Sequence, residues 1–312
     1  MQSPNEAGSG QELELLVCLP TQSTSQDKPP ILFIHGAFCS AHDFQFFLPY
    51  FASRGYPSYA LSLRGHGKSW TPNFLELNLM TTMGDHISDI KAILQFIRDQ
   101  QGSSAQRPIV CAHSFGGGYV QHLLSQETKS RGGAGPRLLG GLVLLGSAPI
   151  WGGAKQIMSH WERIETDGKG YAWPWSPRSQ LDTAKQVRDA FFRDGTEEHV
   201  IQLWRDTCRT KVEGLRTGLA AFWPFGTAGE VLAAIEGFGQ KEGLRKVLCV
   251  AAERDRLVTV DMVSQNTETY VKKAADGAQV VTQRLIPDCG HHLMMDTPWK
   301  QCADEIIRWI EM

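Results

Sequence analysis

The sequence carries almost no surplus charge: 31 lysines and arginines stand against 33 aspartates and glutamates. Without a basic excess there is nothing to attract a polyanion, so neither nucleic acid nor an anionic membrane surface is an expected partner. Cysteine pairing is missing as well. The seven cysteines, at 18, 39, 111, 208, 249, 289 and 302, are odd in number and include no CxxC pair. That argues against a disulfide framework and a zinc site and for free thiols in a reducing compartment. No apolar run reaches the roughly 18 residues of a membrane span. The opening MQSPNEAGSGQELELL lacks a basic stretch leading into an apolar one, and the closing Ile310-Glu311-Met312 carries no lipidation or peroxisomal signal. A cytoplasmic protein is expected. There is no internal repeat and no glycine-rich phosphate loop of Walker or dinucleotide form, so no cofactor and no metal are expected.

What is present is enough apolar material for a large core: 312 residues, 42% of them hydrophobic. Short apolar runs alternate with longer helical patterns, the rhythm of a mostly parallel sheet covered by helices on both faces. Leu13 to Leu19, Ile31 to Ile34, Tyr59 to Leu63, Ile109 to Ala112, Leu138 to Leu145, Val247 to Ala251 and Val280 to Ile286 read as strands. Asp85 to Gln100, Phe115 to Ser125, Asp261 to Ala275 and Met295 to Ile310 read as helices. From Trp151 to about Gln240 the strand rhythm stops, and the helical stretches there are broken by the proline-containing WPWSP and FWPFG. An α/β core over residues 1–150 and 241–312, with a helical cap inserted at 151–240, is the expected organisation.

Four short segments carry chemistry. Ile109-Val110-Cys111-Ala112 runs into His113-Ser114-Phe115-Gly116, a serine between strand and helix. A tight turn there can expose the hydroxyl, unless the serine simply caps the helix. Ile34-His35-Gly36-Ala37-Phe38 ends another strand, with a glycine that can turn the Ala37 amide toward the serine. Glu253, Asp255 and Asp261 follow a third strand, and an acid in that place can orient a histidine; Asp255 is the preferred choice. Finally, Gly290-His291-His292 follows a fourth, and a histidine there can move a proton near working pH. Gly290 before it makes His291 the better base, with His292 its packed or solvent-facing neighbour. All four segments fall at the carboxyl edge expected of the strands, in the order Ser, Asp, His.

With these residues in place the chain resembles the α/β-hydrolase superfamily, in the branch with a helical cap after the sixth strand, over almost its whole length from Glu12 to Ile310. The resemblance implies a mostly parallel eight-stranded sheet, Ser114 as nucleophile, His291 as base, Asp255 as orienting acid, and the amides of Ala37 and Phe115 as the oxyanion hole. Ser62-Leu63-Arg64-Gly65-His66-Gly67-Lys68-Ser69 is similar to the family's D-x-R-G-x-G-x-S loop, with Ser62 where aspartate is usual. Ala112 likewise replaces the first glycine of G-x-S-x-G. Serine at 114 argues against the dehalogenases and epoxide hydrolases of this fold, which use aspartate there.

Six of the nine tryptophans, at 151, 161, 173, 175, 204 and 223, fall in the expected cap with Phe191, Phe192, Phe222 and Phe225. Such a concentration suits a lid over an apolar or aromatic small molecule, although most of these rings are expected to pack the cap onto the core. Trp151 and His113 are the candidates for the pocket wall. The sequence therefore points to cleavage of an ester, lactone or thioester through an acyl-enzyme. The alternatives are a C–C bond cleavage or a lyase, acyltransferase or cyclisation reaction at the same site, or a receptor that binds without turnover.

Overall fold

The computed structural model describes residues 11–21, 28–101, 106–132, 137–164, 181–209, 214–239, 244–274 and 280–312. Its sheet comprises β1 (Leu15–Cys18), β2 (Ile31–Ile34), β3 (Ser58–Leu61), β4 (Ile109–His113), β5 (Gly141–Leu145), β6 (Val247–Ala252) and β7 (Val281–Ile286), in the spatial order β1-β3-β2-β4-β5-β6-β7. Only β1 is antiparallel to its neighbour. Seven strands rather than eight lie among the described residues. The expected strand at Leu138 is also shorter: Leu139 leaves the sheet ladder and bridges instead to Ile235.

The central strands are apolar along their whole length because both faces are covered. On one face the alternate residues Ile34, Ala112, Leu144 and Cys249 meet α2 (Met83–Gln101), α3 (Phe115–Ser130) and α9 (Val260–Val271). On the other, Phe33, Cys111, Val143 and Val250 meet α1 (Phe47–Ser53) and α10 (Trp299–Glu311). Cys111 is accordingly a core residue, and burial pushes its thiol pKa well up. The last helix begins later than Met295 because Asp296 and Thr297 are tied into a turn and Pro298 stands at its start.

Between β5 and β6 run α4 (Ala154–Trp161), α5 (Ala184–Phe191), α6 (Glu198–Thr207), α7 (Leu215–Ala220) and α8 (Ala228–Ala233). Trp161, Phe191, Phe192 and Trp204 from this stretch join the core on the α1/α10 face. Trp223 is exposed and Trp151 is partly buried, whereas Trp173 and Trp175 lie outside the described residues. The aromatic surplus thus divides between packing and surface.

Parallel register places the carboxyl ends of β2, β4, β5, β6 and β7 along one edge: Ile34 is level with Ala112, His113 with Leu145, and Ala252 with Ile286. Loops leaving that edge bring distant parts of the chain together.

Candidate active site

Ser114 occupies the one residue between β4 and α3 and takes φ 50°, ψ −125°, a conformation that side chains avoid. Such strain costs about 1–3 kcal/mol and persists only where neighbours enforce it. Here the Ser114 amide donates to Leu145 O at 3.0 Å, and its carbonyl accepts from Gly117 N at 3.1 Å and Ala148 N at 2.9 Å. The hydroxyl makes no capping bond to the helix. Glycines surround the turn because backbone passes close by. A Cβ on Gly36 would lie 2.7 Å from that of Ser114, and one on Gly116 would lie 2.3 Å from the His35 carbonyl. Gly116 therefore makes room for the end of β2 and the loop that follows it, which pass close to the start of α3.

The Ser114 hydroxyl lies 3.0 Å from His291 Nε2, and His291 Nδ1 lies 2.7 Å from Asp255 Oδ2. The other carboxylate oxygen, Oδ1, accepts from Leu257 N at 2.8 Å and Val258 N at 2.9 Å. With one oxygen held by two amides, the second is aimed at the imidazole. The carboxylate can only accept, so the shared proton sits on Nδ1 and a lone pair on Nε2 faces the hydroxyl. Of the competing acids, Glu253 is exposed and accepts from Asp288 N, while Asp261 lies in the first turn of α9.

Ala37 follows Gly36 in the loop held against Ser114, and Phe115 is the first residue of α3, where helix geometry leaves the amide without an intrahelical acceptor. His113 is fully enclosed rather than facing a pocket. Its ring meets the His291 ring at 4.7 Å, and its Nε2 donates to the His291 carbonyl at 3.0 Å. Burial and the neighbouring His291 hold its pKa well below the ordinary value. Trp151 packs against the core edge, and its indole approaches Gln156 at 3.5 Å. Phe191, at the end of α5, is stacked on His291 at 5.9 Å and 28°.

His292 points away from Ser114 into a second buried cluster. Its Nε2 donates to Asp43 Oδ1 at 3.0 Å, which also accepts from Trp204 Nε1 at 3.0 Å; Asp43 Oδ2 accepts from Ser40 N at 2.8 Å. Burial raises the Asp43 pKa to about 6 and, with His291 nearby, lowers that of His292. Cys39, Asp43 and His292 bring a thiol, a carboxylate and an imidazole within 4.8 Å of one another, a spacing that could hold a metal ion. Trp204, Ser40 and His292 each donate to the Asp43 carboxylate. Neither Asp43 nor Trp204 could be paired with His292 from the sequence, since Asp43 and His292 are 249 positions apart.

The loop resembling D-x-R-G-x-G-x-S is held from outside itself. Ser62 Oγ donates to Glu14 Oε2 at 2.7 Å, and the same oxygen accepts from Lys68 N at 3.0 Å. Burial raises the Glu14 pKa, but these bonds and His42 outweigh it, and the net shift is downward. His35, behind the loop, accepts from Leu63 N through Nε2 and is held neutral, its pKa lowered to about 3 by burial and the nearby His66.

A family model described as "Alpha/beta hydrolase family" matches residues 31–305. Among solved structures, the fold is similar to an esterase from Thermogutta terrifontis, with TM-score 0.63, 16% identity, and coverage of 96% of this chain and 93% of that one. It is also similar to E-2-(acetamidomethylene)succinate hydrolase, at TM-score 0.62, 13% identity, and 96% and 95% coverage. A bromoperoxidase from Bacillus anthracis aligns at TM-score 0.66, 16% identity, and 97% and 96% coverage. At such identities the likeness is one of fold. No curated protein matches the sequence.

Proposed function

Because the chain belongs to the alpha/beta hydrolase family, we propose that it is a serine hydrolase acting on an ester, lactone or thioester of an apolar or aromatic small molecule. The observation that carries this reading is the continuous hydrogen-bonded line from Ser114 through His291 to Asp255. Ser114 Oγ attacks the carbonyl carbon while His291 Nε2 takes the hydroxyl proton. Asp255 stays ionised and stabilises the imidazolium. The tetrahedral oxyanion is received by the amides of Ala37 and Phe115. His291 then returns the proton to the leaving group, an acyl-enzyme remains on Ser114, and water activated by His291 releases the acid.

The helices between β5 and β6 act as the cap in this reading. Phe191 packs against His291, and Trp161 stacks at 5.8 Å on Phe38, so buried aromatic rings stand beside the centre. Such apolar surroundings favour an apolar acyl or aromatic group over a charged one.

A fluorophosphonate probe tests the chemistry without knowledge of the substrate. The parent protein acquires a single adduct, on Ser114, and Ser114→Ala acquires none. A folded parent that resists labelling overturns the proposal. An ester panel varied in chain length and ring content then assigns the acyl group, and hydrolysis in labelled water places the label in the released acid.

A further inference from the structure

The loop that carries His291 is gripped from two sides. On the core side, His113 donates to the His291 carbonyl and Asp255 holds the His291 ring. On the other side, the loop is held by α5, α6 and the stretch between them, and by two carboxylates shared with them. His292 N donates to Phe191 O at 2.8 Å. Asp296, fully buried, accepts from Gly290 N at 2.7 Å within the loop, and it also accepts from Arg193 N at 3.0 Å and from the Thr196 hydroxyl across the junction. Asp43 accepts from His292 within the loop and from Trp204 of α6. The two backbones nearly touch: a Cβ on Gly290 would lie 2.5 Å from the Phe192 carbonyl carbon.

From this arrangement, which rests on the serine-hydrolase reading, we infer that the 191–204 segment is a fixed clamp that positions His291, working through Asp296 and Asp43. A cap that swings aside as a whole would strip Asp296 of Arg193 and Thr196, and Asp43 of Trp204, leaving two buried carboxylates short of donors. That cost is several times the worth of an ordinary hydrogen bond. The segment therefore stays with the sheet while substrate enters elsewhere. Its contacts reach Gly290 and His292, the two residues that flank His291, so an error in its seating appears as a displaced imidazole. A displacement of about 1 Å at a reacting group can cost on the order of a hundredfold in rate. Asp296, Asp43, Thr196 and Trp204 are thus positioning residues that never touch the substrate.

The second-order rate of fluorophosphonate labelling at Ser114 reads out His291 alignment directly. Thr196→Val deletes one donor while keeping the side-chain shape, Trp204→Phe deletes the other while leaving a smaller aromatic ring in its place, and Thr196→Ser keeps the hydroxyl. The combined Thr196→Val/Trp204→Phe protein is expected to melt cooperatively and to label at least fivefold more slowly than the parent, and Thr196→Ser to label at the parent rate. Slowing of less than fivefold in the folded double variant overturns the inference while leaving the serine-hydrolase reading intact. No labelling of the parent overturns both. Should the double variant fail to fold, Thr196→Val alone against Thr196→Ser decides on the same fivefold margin. Equal slowing in those two variants marks a packing effect and overturns the positioning role.

Discussion

The Ser62 hydroxyl donates to the Glu14 carboxylate at 2.7 Å, and Glu14 fills the space beside Gly67, where an added Cβ would lie 2.3 Å from its Oε2. The family's usual aspartate is absent at position 62, yet a carboxylate still organises the loop, delivered from just before β1. Ser62→Asp is therefore expected to destabilise the protein by about 2 kcal/mol, because two buried carboxylates would meet where one now sits. Adding Glu14→Gln to Ser62→Asp should recover much of that loss. Denaturant midpoints of the two single variants and the double variant form the cycle, and strictly additive losses would contradict the compensation.

Asp255→Asn offers a sharp test of proton placement. Leu257 N and Val258 N already donate to one side of this group. The amide oxygen of asparagine would accept from both in place of Oδ1, and the NH2 would turn toward His291. Nδ1 must then accept, the ring proton moves to Nε2, and the base faces Ser114 with no lone pair. Labelling and ester turnover are expected to fall by on the order of 10³–10⁴-fold with folding retained. A fall of less than tenfold would argue that Asp255 does not set the tautomer.

Gly116→Ala pits helix propensity against space. Alanine in a helix gains up to about 1 kcal/mol over glycine. The new Cβ, however, would lie 2.3 Å from the His35 carbonyl, a backbone atom in the loop that presents Ala37. Overpacking of this sort costs about 1–3 kcal/mol. A net loss of stability is expected, together with slower Ser114 labelling as the loop shifts. A stabilised, fully reactive variant would show that the loop yields freely.

Stability should fall steeply in mild acid. Burial, reinforced by neighbouring histidines, holds His35, His86, His113 and His292 below their ordinary pKa of 6.5, His35 at about 3. Below 6.5 the unfolded chain binds protons that the folded one refuses, so their contribution is full above 6.5 and is lost as pH drops. Each adds a slope of up to about 1.4 kcal/mol per pH unit. Asp43 works the other way: raised by burial from 3.8 to about 6, it keeps a proton in the folded state between those values and offsets one histidine. Thermal midpoints from pH 7.5 to 5 should decline mainly below 6.5. His86 has no hydrogen-bond partner for either ring nitrogen among the described residues, so His86→Leu should raise the midpoint and flatten the slope. An unchanged slope in that variant would remove His86 from the account.

The sequence by itself determined the sheet and the order of its loops. Runs such as Ile31 to Ile34 and Ile109 to Ala112 are apolar throughout because both faces of those strands are covered, and that signal is local. It likewise marked Ser114, Asp255 and His291, since each follows a strand whose carboxyl end lies on the shared edge. Only the tertiary structure decided which groups support them. Asp43 and Asp296 have no distinguishing neighbours in the chain, and their partners Trp204 and Thr196 come from α6 and the loop before it, whose docking depends on packing shape rather than periodicity. His113 reads as a pocket residue from its place beside the serine, yet the alternation of strand residues turns its ring inward onto His291. The carboxylate missing at position 62 was recovered in the same way, because hydrogen bonding requires only that an acceptor arrive in space, and Glu14 brings it from 48 residues away.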